Sequence, residues 1–327
     1  MRELINPSTQ AQFNLALEEF ILTKHSEEYF FLWQDEPAII VGRNQNTKAE
    51  INEDFVKTAG IDVVRRLTGG GAVYHDLGNL NFTMIINDPG GVGFDFKRFT
   101  RPIIKALARM GVVAKDTGRN DLTIAGKKFS GNAQYRHAGR LLHHGTLLFS
   151  SDLSVLGAAL KVKPQKIASK GVKSVQSRVT NIIDYAPNLT LGDFRSLIAE
   201  SLRQEYQTDN DVYLLDDRAR EQVRDIQAKK YGSWDWNYGY SPAYDLVRNE
   251  HFDWGEVEIH LAVKNGLISA IKIYGDFFAT TDLIHLEAQL IGVRYEKMAI
   301  VEKIANLELK KYLPQLDDEV FCKLIIE

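Results

Sequence analysis

Apolar residues recur along this chain with two different periods. Phe13, Leu17, Phe20 and Ile21 fall at helical spacing behind Thr9, a fair N-cap, and predict a helix that lays one stripe on a sheet. Residues 29–33 and 38–41 are continuous apolar runs parted by Asp35-Glu36-Pro37, and predict two buried strands with a turn between them. A helical stretch over 52–59 leads into a strand over 61–66, and residues 80–86 alternate well enough to be its hairpin partner. Phe99, Ile103, Leu107 and Met110 mark an amphipathic helix closed by Gly111.

Three short strand-like pieces follow, residues 118–122, 125–133 and 142–148, each broken by glycine and polar where alternation predicts an inward-facing position. A meander with a polar interior face lines something. A short helix is expected over 151–160, capped by Ser151 or Asp152. A long helix capped by Thr190 carries Phe194, Leu197, Ile198 and Leu202 on one face, and another helix is expected over 217–228. Trp234, Trp236, Tyr238 and Tyr240, interleaved with glycine and proline, look like a linker packed on a surface. From residue 256 the period becomes two, and Asn265-Gly266 between alternating runs is a strong hairpin signal. Helical patterns over 283–291 and 298–309 complete a small α+β unit. The expected boundaries are a large domain over 1–245 and a small C-terminal domain over 250–327.

Composition narrows the class. The chain has 327 residues, suited to one large and one smaller domain. Its net charge of −3, with both signs interspersed, supplies no global attraction to nucleic acid or an anionic membrane. The first residues lack the pattern of a signal peptide and no apolar run reaches the length of a membrane span, so a cytoplasmic protein is expected. Cys322 is the single cysteine, which excludes a disulfide within the chain and a Cys-rich zinc site. Its apolar neighbours predict a buried, inert thiol near a terminal strand.

The candidate chemistry centres on Arg65-Arg66-Leu67-Thr68-Gly69-Gly70-Gly71-Ala72-Val73-Tyr74-His75-Asp76. On its own the glycine triplet reads as a hairpin turn. Two arginines before it and His75-Asp76 after it shift the balance towards a carboxylate or phosphate site, because main-chain N–H groups and guanidinium donors converge there. Gly42-Arg43-Asn44-Gln45-Asn46, at the exit of a buried strand, is read equally as cleft or ordinary loop. The basic stretch 161–179 is either a solvated face or a mobile cover for a polyphosphate. There is no phosphate loop, no Gly-x-Gly-x-x-Gly, no Gly-x-Ser-x-Gly and no His-Glu-x-x-His. Arginines, glycine N–H groups and a lysine suit activation of a carboxylate by ATP, where negative charge must be held at an α-phosphate and a carboxylate together.

These residues resemble the lipoate-protein ligases. The Arg65 to Asn79 run looks like that family's lipoate-binding loop. Gly118-Arg119-Asn120-Asp121-Leu122, Lys128-Phe129-Ser130-Gly131, His143-His144-Gly145-Thr146-Leu147-Leu148 and the run from Lys170 to Asn181 match further blocks in order. The resemblance implies an α+β fold shared with biotin-protein ligases: a large domain with a mixed, mostly antiparallel sheet flanked by helices, followed by a small α+β accessory domain. It implies that ATP, with Mg²⁺, activates lipoate to lipoyl-AMP with release of pyrophosphate. The lipoyl group then passes to a lysine of an acceptor lipoyl domain, in 2-oxoacid dehydrogenase acyltransferase subunits or the glycine-cleavage H protein.

By position, Lys128 is the implied catalytic cation, touching both the acyl carbonyl and the phosphate. Arg66, Gly71, Ala72, Val73, Tyr74, Asn120, Lys170, Ser177 and Arg178 are implied for the nucleotide or adenylate, with Gly69, Gly70, His75, Asn79 and His144 for lipoate. Asp121 is the implied Mg²⁺ contact. The basic stretch matches the family's adenylate-binding loop. Gln134 stands as an extra residue after Ala133 relative to the family pattern.

The rival within the superfamily is a lipoyl or octanoyl transferase. A thioester route is disfavoured because Cys322 lies in the wrong domain, whereas transfer from preformed lipoyl-AMP or a lipoylated donor stays open. From another class, a non-catalytic module that holds an acyl-adenylate or nucleotide also stays open. If the glycines serve close approach to an acyl chain, Gly70→Val will damage lipoate use more than folding. Equal loss of thermal stability and activity in that variant would return the triplet to a simple turn.

Overall fold

The protein is described by a computed structural model covering residues 1–91, 94–160, 178–208, 211–238 and 246–326. The chain forms two compact units. The first is Met1–Val41, Thr47–Leu67 and Ala72–Asn237; the second is Gly42–Asn46, Thr68–Gly71 and Tyr238–Glu327.

The strands of the first unit are β1 Arg2–Ile5, β2 Tyr29–Trp33, β3 Ala38–Val41, β4 Asp62–Arg65, β5 Val73–His75, β6 Asn79–Asn87, β7 Ala114–Asp116, β8 Asp121–Ile124, β9 Lys127–His137, β10 Arg140–Leu148 and β11 Val212–Leu214. Its helices are α1 Ala11–Lys24, α2 Thr47–Glu50, α3 Glu53–Thr58, α4 Lys97–Arg109, α5 Leu153–Ala159, α6 Leu191–Glu205, α7 Asp217–Ile226 and α8 Trp234–Asn237. Eight strands form one mixed sheet in the order β11-β1-β2-β6-β10-β9-β8-β7, and β4-β3-β5 form a second, smaller sheet. In the large sheet the pairs from β2 to β7 are antiparallel, while β1 pairs in parallel with β2 and β11.

β2 and β6 are apolar on both faces because both faces are covered. On one side Phe30, Leu32, Phe82, Met84 and Leu147 pack with Phe99 and Ile103 of α4 and with Phe194 and Ile198 of α6. On the other, Phe31, Trp33, Ile85 and Leu142 pack with Leu17 and Ile21 of α1 and with Ile40 and Val64 of the small sheet. This is a mixed sheet flanked by helices, the expected α+β class.

The continuous runs and the amphipathic helices fall where periodicity put them, and Thr190 caps α6 through a capping box with Asp193. The exceptions have identifiable causes. β6 is not the hairpin partner of β4. It pairs with β2 and β10, while β4 runs parallel to β3. A strand apolar on both faces belongs in the doubly covered centre, and β5 takes the place beside β3 instead. Thr9 does not cap α1: Gln10 holds that position without a side-chain hydrogen bond, and the Thr9 hydroxyl goes to Glu36. The far end of α1 is closed by a residue remote in sequence. The buried Arg140 guanidinium donates to the carbonyls of Ile21 and Leu22, acceptors the helix end otherwise leaves unsatisfied, and to those of His25 and Glu27 just after it.

The second unit contains β12 Leu246–Phe252, β13 Gly255–Lys264 and β14 Leu267–Gly275, an antiparallel sheet in that order, with helices α9 Ile284–Leu290, α10 Lys297–Ala305 and α11 Asp318–Ile326. The Asn265-Gly266 hairpin forms as expected, both residues adopting positive φ. Cys322 is buried, on helix α11, which packs against β12 and β13, and burial pushes its thiol pKa up, which keeps it protonated. Among the described residues no helix is long and apolar enough to cross a membrane.

Arg140→Met keeps the aliphatic stem but leaves the carbonyls at the end of α1 without their donor. It is expected to lower stability by about 3 kcal/mol, read as a lower urea midpoint with an unchanged m-value.

Candidate functional site

A cavity of about 630 Å³ opens in the first unit, walled by β5, β8, β9, β10 and α5. Strand alternation explains the split at β8: Leu122 and Ile124 enter the core, whereas Asp121 and Thr123 line the cavity. β9 needs an additional device. Asp121 pairs with Gly131 and Leu122 with Ser130, but Thr123 pairs with Lys128, so Phe129 is an extra residue and the register shifts there. Strict alternation would place Lys128, three residues from Gly131, on the face opposite Asp121. The β-bulge restores it to the same face and leaves Phe129 in the core. The Lys128 ammonium then lies 2.7 Å from Asp121 Oδ1, both side chains about one-third exposed.

The other walls are set by turns. Asp76 accepts from the Gly78 and Asp152 N–H groups, tying the β5–β6 turn to the start of α5, whose Asp152 cap holds Ser154. Leu153, Leu156 and Leu160 thereby form an apolar wall opposite polar Thr123 and Thr146. Tyr74 lines the same space; burial, with Asp76 and Asp152 nearby, pushes its phenol up to about 12, so it remains a neutral donor. Arg178 and Val179 complete the rim. Val179 bridges to Lys128, and the Thr180 N–H donates to the Lys128 carbonyl at 2.9 Å. The end of the basic stretch is therefore bonded to the lysine's own backbone.

Beside the strands that supply Thr146 runs a buried polar strip. Residues opposite one another in antiparallel pairs share a face, and Trp33, Asn81 and Thr146 stand in line across β2, β6 and β10, as do Thr83 and His144. Glu18, on the buried side of α1, accepts from the Thr83 hydroxyl and hydrogen-bonds His144 Nδ1 at 3.0 Å; Thr83 in turn accepts from Trp33 Nε1 at 2.8 Å. His75 Nδ1 donates to the fully buried Asp35 at 2.7 Å, and Asn14 donates to the other Asp35 oxygen at 2.8 Å. Burial pushes the Asp35 carboxyl pKa up, while its hydrogen bonds from His75 and Asn14 pull it down. Asn79 donates to Asn81 at 2.8 Å. Arg66, buried in the same unit, donates to the Ile40 carbonyl at 3.0 Å; burial lowers its pKa to about 10, which leaves it a cation at neutral pH.

Of the residues singled out from sequence, the structure gathers Ala72, Val73, Tyr74, Asp121, Lys128 and Arg178 around the cavity. It places His75, Asn79, His144 and Arg66 in the buried interior of the first unit. Asn120 is not among the cavity's lining residues: its amide and the Asn132 backbone bond each other, with Asn120 Nδ2 donating to the Asn132 carbonyl at 2.9 Å. Lys170 and Ser177 lie outside the described residues. Arg65, read with Arg66 as a ligand donor, bonds Thr47 and the Trp236 and Asn237 carbonyls instead.

Gly69, Gly70 and Gly71 belong to the second unit. A Cβ on Gly69 would stand 2.3 Å from the Phe277 carbonyl oxygen, and the Gly70 N–H donates to that same oxygen at 3.2 Å with φ +92°. The close approach these two glycines permit is to the protein's own backbone. Arg43, from the loop read equally as cleft, forms an ion pair with Asp282 in that unit, and the Gly275 N–H donates to the Asn44 carbonyl at 2.8 Å. Glu18, Asp35, Trp33, Thr83 and Asn81 were not singled out from sequence. The available signal was an acid on the apolar side of α1 and another in a turn between two fully buried strands.

The first unit thus combines a mixed sheet, a cavity walled by a cation and a carboxylate, and buried imidazoles, and comparison with known proteins gives its class. Residues 10–203 match the lipoyl protein ligase A/B catalytic domain, and residues 241–325 match the bacterial lipoate protein ligase C-terminus. The chain is 44% identical over 321 residues to lipoate-protein ligase LplJ of Bacillus subtilis, covering 95% of this chain and 96% of that protein. The crystal structure of P. falciparum LipL1 in complex with lipoate superposes with a TM-score of 0.81 at 26% identity, covering 99% of this chain and 98% of that one. A lipoate-protein ligase A bound with ATP gives a TM-score of 0.64 at 25% identity, over 73% of this chain and 98% of its own. The chain belongs to the lipoate-protein ligase family.

The two outer glycines separate steric from other roles. Gly69→Ala is expected to lower the melting temperature because backbone atoms meet the new Cβ. Gly71→Ala, with nothing within 4 Å of its Cβ position, should leave the melting temperature unchanged. Equal thermal behaviour of the two variants would remove the close packing as the reason for Gly69.

Proposed function

We propose that this ligase joins the lipoate carboxylate to the α-phosphate of ATP and then passes the lipoyl group to the ε-amino group of a lysine on an acceptor lipoyl domain. In the first step a carboxylate oxygen bonds to the α-phosphorus as the bond to the pyrophosphate oxygen breaks. In the second, the amine nitrogen bonds to the acyl carbon, the acyl–phosphate bond breaks with its electron pair leaving on AMP, and the amine sheds a proton. The observation that carries this reading is the Lys128–Asp121 pair on the cavity wall. A fixed cation there neutralises charge at the α-phosphate in the first step and at the carbonyl oxygen in the second without becoming a nucleophile.

Supporting groups are assigned on the same basis. The apolar wall of Leu153, Leu156 and Leu160 suits the adenine ring, with Ala72, Val73 and Tyr74 beside it. Arg66 is a buried cation for the anionic end of the acid or its adenylate, and Arg178 is placed at the rim. The strip of Trp33, His75, Asn79 and His144 suits a mostly apolar chain with one polar end. Among the described residues no three acidic, histidine or cysteine side chains could hold a metal together, so Asp121 is a single carboxylate. That donor set fits Mg²⁺ arriving on ATP, most of whose ligands are phosphate oxygens and water, and not a resident metal.

The purified protein is expected to exchange radiolabelled pyrophosphate into ATP only when lipoate is present. Absence of exchange sinks the ligase reading, and modification of an apo lipoyl domain from added lipoyl-AMP alone would mark a transferase. Lys128→Ala should lower both half-reactions about a hundred- to thousand-fold, corresponding to roughly 3 kcal/mol; full retained activity would remove the lysine from the mechanism.

A further inference from the structure

We propose that Asp35 is a positioning residue that fixes the tautomer of His75, so that Nε2 is the ring nitrogen turned to the lipoyl substrate. This rests on the proposed lipoate site.

Asp35 is fully buried in the turn between β2 and β3, where an ionisable side chain has no packing reason to be. Both its oxygens are used, by Asn14 at 2.8 Å and by His75 at 2.7 Å. Burial raises the Asp35 pKa, and the bonds from Asn14 and His75 oppose it by favouring the carboxylate; a carboxylate can only accept, so with both its oxygens bonded His75 Nδ1 carries the proton. Asn81 Nδ2 also lies 3.4 Å from that nitrogen, but a protonated Nδ1 has no lone pair to offer, and the shorter contact decides the assignment.

The other ring nitrogen has a different fate. His75 Nε2 is buried and has no hydrogen-bond partner among the described residues, and the same is true of Asn79 Oδ1, whose amide nitrogen donates to the neighbouring Asn81. The ring itself is held edge-to-face against Trp33, with centroids 5.9 Å apart. A buried polar atom without a partner costs free energy that the fold recovers when a ligand supplies one. Two such atoms in the buried polar region of the first unit point to a polar ligand group as the missing partner. A carboxylate that locks an imidazole in one tautomer serves acyl-transfer sites in the same physical way.

Asp35→Asn tests this while preserving shape. The new amide oxygen still accepts from Asn14, but its nitrogen must donate to His75 Nδ1, which reverses the tautomer. The expected result is exchange of the ¹⁵N shifts of the two His75 ring nitrogens. The KM for lipoate should rise at least tenfold in pyrophosphate exchange, with the KM for ATP within about twofold and an unchanged melting temperature. A reversed tautomer with unchanged lipoate KM overturns the proposal, as does a lower melting temperature with unchanged KM. A second measurement needs no variant: saturating lipoate alone should move the His75 Nε2 resonance of the wild-type protein while leaving Nδ1 protonated, and an unmoved Nε2 overturns the proposal. Failure of the wild-type protein to catalyse exchange would instead count against the ligase function itself.

Discussion

The arrangement of the cavity depends on one irregularity in one strand. In a regular antiparallel ladder the sequence from Lys128 to Gly131 would turn the lysine ammonium away from Asp121. The extra residue at Phe129 changes the parity, so that a cation, a carboxylate and the hydroxyl of Thr146 share a face while Phe129 stays in the core. A second backbone segment, Val179 to Thr180, bonds at Lys128 as well. The placement of the lysine is thus held by main-chain hydrogen bonds on both sides and not by its flexible side chain alone. Such preorganisation makes a fixed charge effective in a partly buried site.

The second constraint is the cost of polar groups inside the sheet's apolar interior. Glu18, Asp35, His75, Thr83, Asn81 and His144 all lie in or near a core that could have been built from leucine and valine. Each isolated burial costs several kcal/mol, so they occur as two connected networks and not as scattered groups. Glu18 satisfies Thr83 and His144; Asp35 satisfies Asn14 and His75. His143 beside them shows the purely structural alternative: stacked on Phe99 at 4.5 Å and bonded to Gln134, with burial lowering its pKa well below the usual histidine value. Two adjacent histidines therefore serve opposite faces of one strand, the first filling an apolar core and the second bonded to a buried glutamate.

The sequence made the elements legible where one cause dominates. Continuous apolar runs gave β2 and β3, and a capping box gave α6, because burial on both faces and helix-end hydrogen bonds are local facts. Pairing was less legible: β6 alternates as a hairpin strand would, and only the competition for the doubly covered centre of the sheet sends it to β2 and β10. β1, with the four residues Arg-Glu-Leu-Ile, and β11 carry too little pattern to stand out. Lys128 and Asp121, which the structure brings together on the cavity wall, stood out in the sequence because their motifs are dense in charge and glycine. Asp35 was hidden because a turn acid between strands is normally solvated, and Arg65 misled because its partners on α8 lie some 170 positions away in sequence.

The glycine triplet shows what contacts add to a motif. Composition offers two reasons for consecutive glycines, freedom of φ and close approach, and the structure uses both at different positions. Gly70 has a positive φ, and Gly69 leaves room for a carbonyl that would otherwise strike a methyl group; Gly71 needs neither. The oxygen involved at the first two is the same one, that of Phe277. A single main-chain acceptor thus meets two successive glycines, Gly69 and Gly70, within the second unit. Close packing at those two positions comes from a carbonyl remote in sequence, even though the residue types taken alone argue for flexibility. Two of the three glycines are therefore required by contacts inside their own unit, one by backbone conformation and one by the space its missing Cβ leaves.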